Sequence, residues 1–305
     1  MSGAGAPMRK IVPFLWFDGQ AEEAARLYTR LFPNSRIGTV SRYGAEGFEV
    51  HGQPAGRAMV VEMDLDGVAI SGLNGGPAFR PTPAVSFFAQ LETEALVDAV
   101  WAGLAEGGTV LMPLAAWPWS AKYGWLNDRY GVSWQISLGP KADVGQTITP
   151  SLLFTGAQQG RAEAAIRLYT SVFAGSEVQG ILRNDGSEGE PAGTVKHAQF
   201  RLAGETFMAM DSAQPHAFGF TEGTSFMVLC ADQAEVDHFW SALTAEGGEE
   251  SMCGWLKDRF GVSWQIIPTA MMRLMSDPAT SGRAMQAMLP MRKLDLAAIE
   301  AAAAG

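Results

Sequence analysis

Charge is scarce in this chain and one-sided. Charged residues make up 18% of 305, with 32 Asp and Glu against 22 Lys and Arg, for a net charge of −10. No basic stripe stands out, which argues against a nucleic-acid partner and against recruitment to an anionic membrane. The two cysteines, Cys230 and Cys253, both fall in the second half. They make no disulfide framework and suit a reducing, cytoplasmic location. The four histidines, His51, His197, His216 and His238, share no HxH or HxxxH spacing, so none reads as a metal ligand. No run reaches the roughly 18 apolar residues of a membrane span. The opening MSGAGAPMRK lacks the apolar run and small-residue cleavage site of a signal peptide.

What the chain has in abundance is itself. Residues 124–136 read GWLNDRYGVSWQI and residues 254–266 read GWLKDRFGVSWQI. They differ at Asn127 against Lys257 and at Tyr130 against Phe260. Apolar residues are 47% of the chain, enough for each half to bury its own core. The repeat therefore predicts two copies of one domain, residues 9–139 and 148–268, joined by a linker and followed by a tail, residues 269–305.

The order of elements supports this. IVPFLWF (11–17) reads as a strand. In AEEAARLYTRLF (21–32), Ala24, Leu27, Tyr28 and Leu31 recur at helical spacing. Strands follow near 36–43, 57–65 and 68–73, with a Gly-rich loop at 44–56 and a hairpin turn at Asp66-Gly67. After the loop NGGPAFRPTP the same order returns: a strand at 84–91, a helix at 93–106, and short strands at 109–112, 122–126 and 132–138. The second half repeats it, LYTRLF against LYTSVF and SFF against SFM. The offset falls from 141 at Leu27 to 130 at Gly124, so the first half carries extra residues within TVLMPLAAWPWSAKY. Leu274, Met275, Met285, Met288, Leu289, Leu296 and Ile299 predict short amphipathic helices in the tail, packed on the body or on a second copy.

Four strand–helix–strand–strand–strand units in a row resemble the vicinal oxygen chelate superfamily, the glyoxalase I and bleomycin-resistance fold. The run FDG, AEEA, LY and LF, then NGGP, SFF and PWSAKYGWLNDRYGVSWQI, is similar to its PhnB-like branch, whose members often bear a demethylubiquinone methyltransferase label. The resemblance implies an α+β protein of tandem βαβββ modules, four forming a pseudo-dimer, as a monomer or a homodimer. It also implies cup-shaped sheets whose concave faces hold a small-molecule ligand. Enzymes of the fold typically hold a divalent ion on a His or Gln from each first strand and a Glu from each last one. The matching positions here are Val12, Ser71, Ser86 and Gln135 in the first half and Thr149, Met208, Ser225 and Gln265 in the second. These carry no histidine and no carboxylate, so no metal and no other cofactor is expected. A methyl donor site of the common kind needs a Gly-rich loop between a strand and a helix, and none occurs.

Ligand contacts are expected from Gln135, Gln265, Ser86 and Ser225. Gln135 and Gln265 face opposite to Trp134 and Trp264, and either face of that strand can line the cup; the resemblance favours the Gln face. Trp119, Trp125 and Phe79 join them, with Trp117 and Tyr123, as aromatic loops around the mouth of the first site. The expected function is metal-independent binding of a small apolar or aromatic molecule. The alternative is an enzyme of glyoxalase, lyase or methyltransferase type, for which Glu62 is the nearest candidate base. Glu62 shares a strand face with Asp64 that is as readily the wet one. Cys253, with no nearby histidine, reads as inert. The ligand, and which modules pair, are not readable at this level.

Overall fold

A computed structural model describes residues 9–305. The first module is β1 (Ile11–Phe17), α1 (Ala21–Leu31), β2 (Arg36–Arg42), a short α2 (Phe48–His51), β3 (Ala58–Leu65) and β4 (Val68–Asn74). The second is β5 (Val85–Leu91), α3 (Glu94–Ala105), β6 (Thr109–Trp117), β7 (Ser120–Asn127) and β8 (Ser133–Leu138). The third is β9 (Ile148–Phe154), α4 (Ala162–Val172), β10 (Glu177–Arg183), β11 (Val195–Leu202) and β12 (Glu205–Asp211). The fourth is β13 (Thr224–Cys230), α5 (Gln233–Thr244), β14 (Glu249–Glu250), β15 (Trp255–Lys257) and β16 (Ser263–Pro268). The tail folds as α6 (Thr269–Ser276), α7 (Ser281–Met288) and α8 (Leu296–Ala304).

The modules pair across the two halves. One eight-stranded sheet runs β14-β15-β16-β13-β1-β4-β3-β2 and joins the first module to the fourth. The other runs β10-β11-β12-β9-β5-β8-β7-β6 and joins the second to the third. At each junction the two module-leading strands are antiparallel, Phe14 opposite Ser225 and Ser151 opposite Ser86. The apolar cores, by contrast, follow the sequence halves. Leu27, Tyr28, Val97, Leu104 and Trp134 belong to one, and Ile166, Tyr169, Phe239 and Trp264 to the other. Each half thus packs its two helices in its own core and sends one module into each sheet.

Strand alternation assigns the faces. Leu15 and Phe17 on β1, Val61, Met63 and Leu65 on β3, and Trp134 and Ile136 on β8 point to the helices. Val12 and Phe14, with Met227 and Leu229 on β13, point the other way, where Met272 of α6 covers them. The tail therefore lies over the concave face of the first–fourth sheet, and Met271, Ala284, Leu294, Ile299 and Ala303 form its own small core.

The strand-to-helix turns are capped from a distance. Gln20 and Arg161 precede α1 and α4 without side-chain caps. Asn74 Oδ1 accepts from the Ala21 amide at 2.9 Å, and Asp211 Oδ1 from the Ala162 amide at 3.1 Å. The end of the fourth strand in the first and third modules thus satisfies a donor the helix leaves open, whereas Thr93 and Asp232 cap α3 and α5 directly.

The extra residues of the first half form a β-hairpin, β6–β7, longer than the expected strand at 109–112. Its pairing slips between Val110 and Met112 and again before Ala115, where Pro113 interrupts the ladder for want of an N–H. In the fourth module the equivalent strand has two residues. The chain turns back at Cys253 and Gly254, both left-handed at φ 58° and 82°. Their amides donate to Met291 and Arg292 carbonyls of the tail at 2.7 and 2.8 Å. The tail occupies the edge that the longer hairpin holds in the other sheet.

Candidate functional site

The duplicated motif proves to be structural first. In the DRYG turn, Asp128 is 4% exposed and takes four hydrogen bonds on two oxygens. Tyr28 Oη donates to Oδ2 at 2.6 Å and Trp134 Nε1 donates to it at 3.0 Å. The amides of Tyr130 and Val132 donate to Oδ1 at 2.8 and 3.0 Å. Asp258 repeats every contact with Tyr169, Trp264, Phe260 and Val262. Burial holds both carboxyls above the usual carboxylate range, and the four donors offset that only in part. Burial, then the neighbouring carboxylate, holds the Tyr28 and Tyr169 phenols well above their usual value. The pair Asp–Tyr ties the turn to the first helix of its half and orients the tryptophan that fills the core. Sequence reasoning passed over Asp128 and Asp258; their presence in both copies beside a buried tryptophan was the signal.

Gln135 and Gln265 lie on the faces away from the helices, as the alternation with Trp134 and Trp264 requires. Gln135 is fully engaged: Nε2 donates to Ser86 Oγ at 2.7 Å and Oε1 accepts from Tyr123 Oη at 2.7 Å. Gln265 Nε2 donates to Ser225 Oγ at 2.9 Å. Position 253 holds a cysteine where the first copy has Tyr123, so no phenol reaches the Gln265 carbonyl.

Pairing across halves regroups the eight positions that sequence order divides by half. Val12, Ser71, Ser225 and Gln265 share one cup; Ser86, Gln135, Thr149 and Met208 share the other. Phe14, not Val12, stands between Ser225 and Ser71 in register. Neither set contains an imidazole or a carboxylate, and no group of three or more His, Cys, Asp or Glu gathers among the described residues. The donor set does not fit the divalent ion of the fold's enzymes.

The aromatic candidates divide. Trp119 stacks on Trp117 with centroids 5.4 Å apart and is 61% exposed. Trp125 Nε1 donates to Ser133 Oγ at 2.8 Å and closes the polar floor of the second–third cup. Phe79 is in neither place. It packs edge-on against Trp16, in the first–fourth cup, so the expected single mouth shared by Phe79, Trp119 and Trp125 is corrected. The reason is the cross-pairing: the loop after β4 belongs to the other sheet. Glu62 lies on β3 opposite Ser71, on the face away from the helices and outside the cavity lined by Trp16 and Phe79.

That cavity, about 320 Å³, opens at the fourth-module end of the first–fourth cup. Trp16, Trp255 and Phe79 wall it. Glu222, Glu249, Glu250, Lys257, Cys253 and Ser263 are also among its lining residues. Trp16 meets Phe79 at 83° and Trp255 at 75°. The Trp16 indole N–H donates to the Gly76 carbonyl at 2.7 Å, which fixes the ring. Lys257 pairs with Glu222 at 2.8 Å. Ser263 is 1% exposed and its hydroxyl has no partner. Burial raises the Cys253 thiol, so it is no ready nucleophile. Sequence reasoning missed Trp16, Trp255 and Ser263 as a group. Trp16 alternates with the core residues Leu15 and Phe17, which already put it on the concave face.

Two sheets of paired βαβββ modules, each curved into a cup, define a glyoxalase-like protein of the vicinal oxygen chelate fold. The chain belongs to the family described as 3-demethylubiquinone-9 3-methyltransferase, whose model matches residues 9–137 and 146–267. No curated protein matches it. Among solved structures, a PhnB protein from Bacillus cereus, provisionally named a 3-demethylubiquinone-9 3-methyltransferase, is 41% identical over 43% of this chain and 100% of its own, with a TM-score of 0.40. Glyoxalase I from Zea mays is similar over 86% of this chain and 92% of its own, at 9% identity and a TM-score of 0.55. That second likeness is one of fold. The family description names methyl transfer, but Gly75-Gly76 opens no helix; the chain runs from β4 through a loop to another strand, β5. Gly75 and Gly76 therefore do not form a donor cradle of the common strand–glycine–helix type.

Proposed function

We propose that this chain binds a small apolar or aromatic molecule, without a metal ion, in the cup built by its first and fourth modules. The observation that carries this reading is the cavity of about 320 Å³ walled by Trp16, Trp255 and Phe79, with Ser263, whose buried hydroxyl has no partner, among its lining residues. That volume is at the small end for organic ligands, and aromatic walls with one free polar group suit such a molecule. A buried hydroxyl without a partner costs about 1–3 kcal/mol, a cost a bound ligand removes. The second–third cup supports binding less well, because Tyr123 and Trp125 already satisfy Gln135 and Ser133.

Native mass spectrometry with metal analysis, on protein purified with neither added metal nor chelator, tests this. The reading expects a non-covalent organic mass at or below one per chain that Trp255→Leu removes. A stoichiometric divalent ion, or turnover of a glyoxalase-type adduct, would overturn it in favour of the enzymatic alternative.

A further inference from the structure

We propose that the ligand of the first–fourth cup is a small organic cation, a fully substituted ammonium with an apolar or aromatic arm and one hydrogen-bonding group. This deepens the binding function proposed above and rests on it. Three aromatic rings line one space: Trp16 meets Phe79 edge-on with centroids 4.9 Å apart and Trp255 edge-on with centroids 5.9 Å apart. Ring faces carry negative charge density, and a cation in such a space is attracted by each ring whose face lies within about 6 Å of it.

The charges around the mouth favour the same sign. The one lysine on the cavity is already paired with Glu222, and Arg292 stands 3.9 Å from Glu250, which also accepts from Trp240 Nε1. Glu249 adds a further carboxylate at the rim. An anion would meet these carboxylates and the ring faces with no free positive group. The chain's net charge of −10 draws cations from a distance. A primary ammonium needs acceptors for three N–H groups, which the aromatic walls lack. A fully substituted nitrogen needs none. Ser263, buried and unpartnered, supplies one hydrogen bond to the other end of the ligand.

The other cup also holds a buried hydroxyl without a partner, Thr149, but its aromatic residues are arranged differently. Leu153 stands at the register position of Trp16. Ser133 is taken by Trp125, and Trp119, which stacks on Trp117 at 21° and meets Tyr123 edge-on, is largely exposed. Asn127 replaces Lys257, one of only two differences between the copies of the motif.

Isothermal titration of the full chain with benzyldimethyl(hydroxyethyl)ammonium, and with the isostere in which a quaternary carbon replaces the nitrogen, tests the inference. The ammonium is expected to bind about tenfold tighter than the carbon isostere. Trp255→Leu should abolish that preference and Trp255→Phe restore part of it. Ser263→Ala should weaken both compounds about equally, and Trp119→Leu should leave both unchanged. Equal binding of the two compounds overturns the cation reading and leaves small-molecule binding standing. Failure of both to bind overturns the cation reading too, and the copurified-ligand experiment then judges the broader function separately.

Discussion

Replacing Asp258 by asparagine should destabilise the protein severely while changing almost no volume. The carboxylate accepts from Tyr169 Oη at 2.6 Å and Trp264 Nε1 at 2.9 Å on one oxygen, and from two turn amides at 2.9 and 3.1 Å on the other. Asparagine has one acceptor oxygen and an NH₂ group. Whichever way the amide lies, two donors lose their acceptor and face another donor. Hydrogen bonds to a charged group contribute about 1.5–3 kcal/mol each, and a buried unsatisfied donor costs about 1–3 kcal/mol. The loss should therefore be about 4 kcal/mol, a fall on the order of 10 °C in Tm by the scaling for large domains. Differential scanning calorimetry and near-ultraviolet circular dichroism, which reads the environment of Trp264, provide the assay. Tyr169→Phe removes one bond and should cost about 2 kcal/mol alone, but much less in the Asp258→Asn background, because the two changes share one interaction. If Asp258→Asn lies within about 1 kcal/mol of the parent, the four-donor carboxylate is not what holds the turn, and the explanation of the duplicated motif fails.

Removing residues 269–305 should uncover Val12, Phe14, Met227 and Leu229, and the truncated chain should bind anilinonaphthalene sulfonate where the full chain does not. Arg183 and Arg167, each 2.6 Å from Glu163, hold its carboxyl down to about 2 from a usual 4.5. A depressed acid contributes stability above its unfolded value and loses it as pH falls, so Glu163→Gln should flatten the stability profile between about pH 4.5 and 2. These pairs are largely exposed, and the effect should stay near 1 kcal/mol or below. Burial raises the Cys230 thiol to about 12, so an aromatic disulfide reagent at neutral pH should label it only after unfolding, as mass spectrometry of the adducts would show.

The modules were legible because periodicity and repetition are local. Leu27 and Tyr28 recur at helical spacing, and the same letters return at Leu168 and Tyr169. The partition of modules between sheets was not, because β1 pairs with β13 more than two hundred residues away and no local pattern encodes that choice. Phe79 shows the consequence. It was grouped with Trp119 by nearness in sequence and sits with Trp16 by topology. The long hairpin exceeds the strand expected at 109–112, because the edge strand continues past Pro113 through an irregularity in its pairing. At the site, Gln135 and Gln265 read as equivalents, and their surroundings differ because Tyr123 is replaced by Cys253 and the tail takes the space of a hairpin. The two copies keep the same buried Asp–Tyr–Trp lock and differ on the concave face, where a ligand would be chosen.

The central claim is that binding belongs to the first–fourth cup and not to the second–third. The chain has nine tryptophans, and fluorotryptophan labelling gives each a separate fluorine resonance, assignable by single Trp→Phe substitutions. On adding the benzyl ammonium probe or a copurified ligand, the resonances of Trp16 and Trp255 should move while those of Trp119 and Trp125 hold still. Movement of Trp119 and Trp125 with Trp16 and Trp255 unchanged would contradict the account.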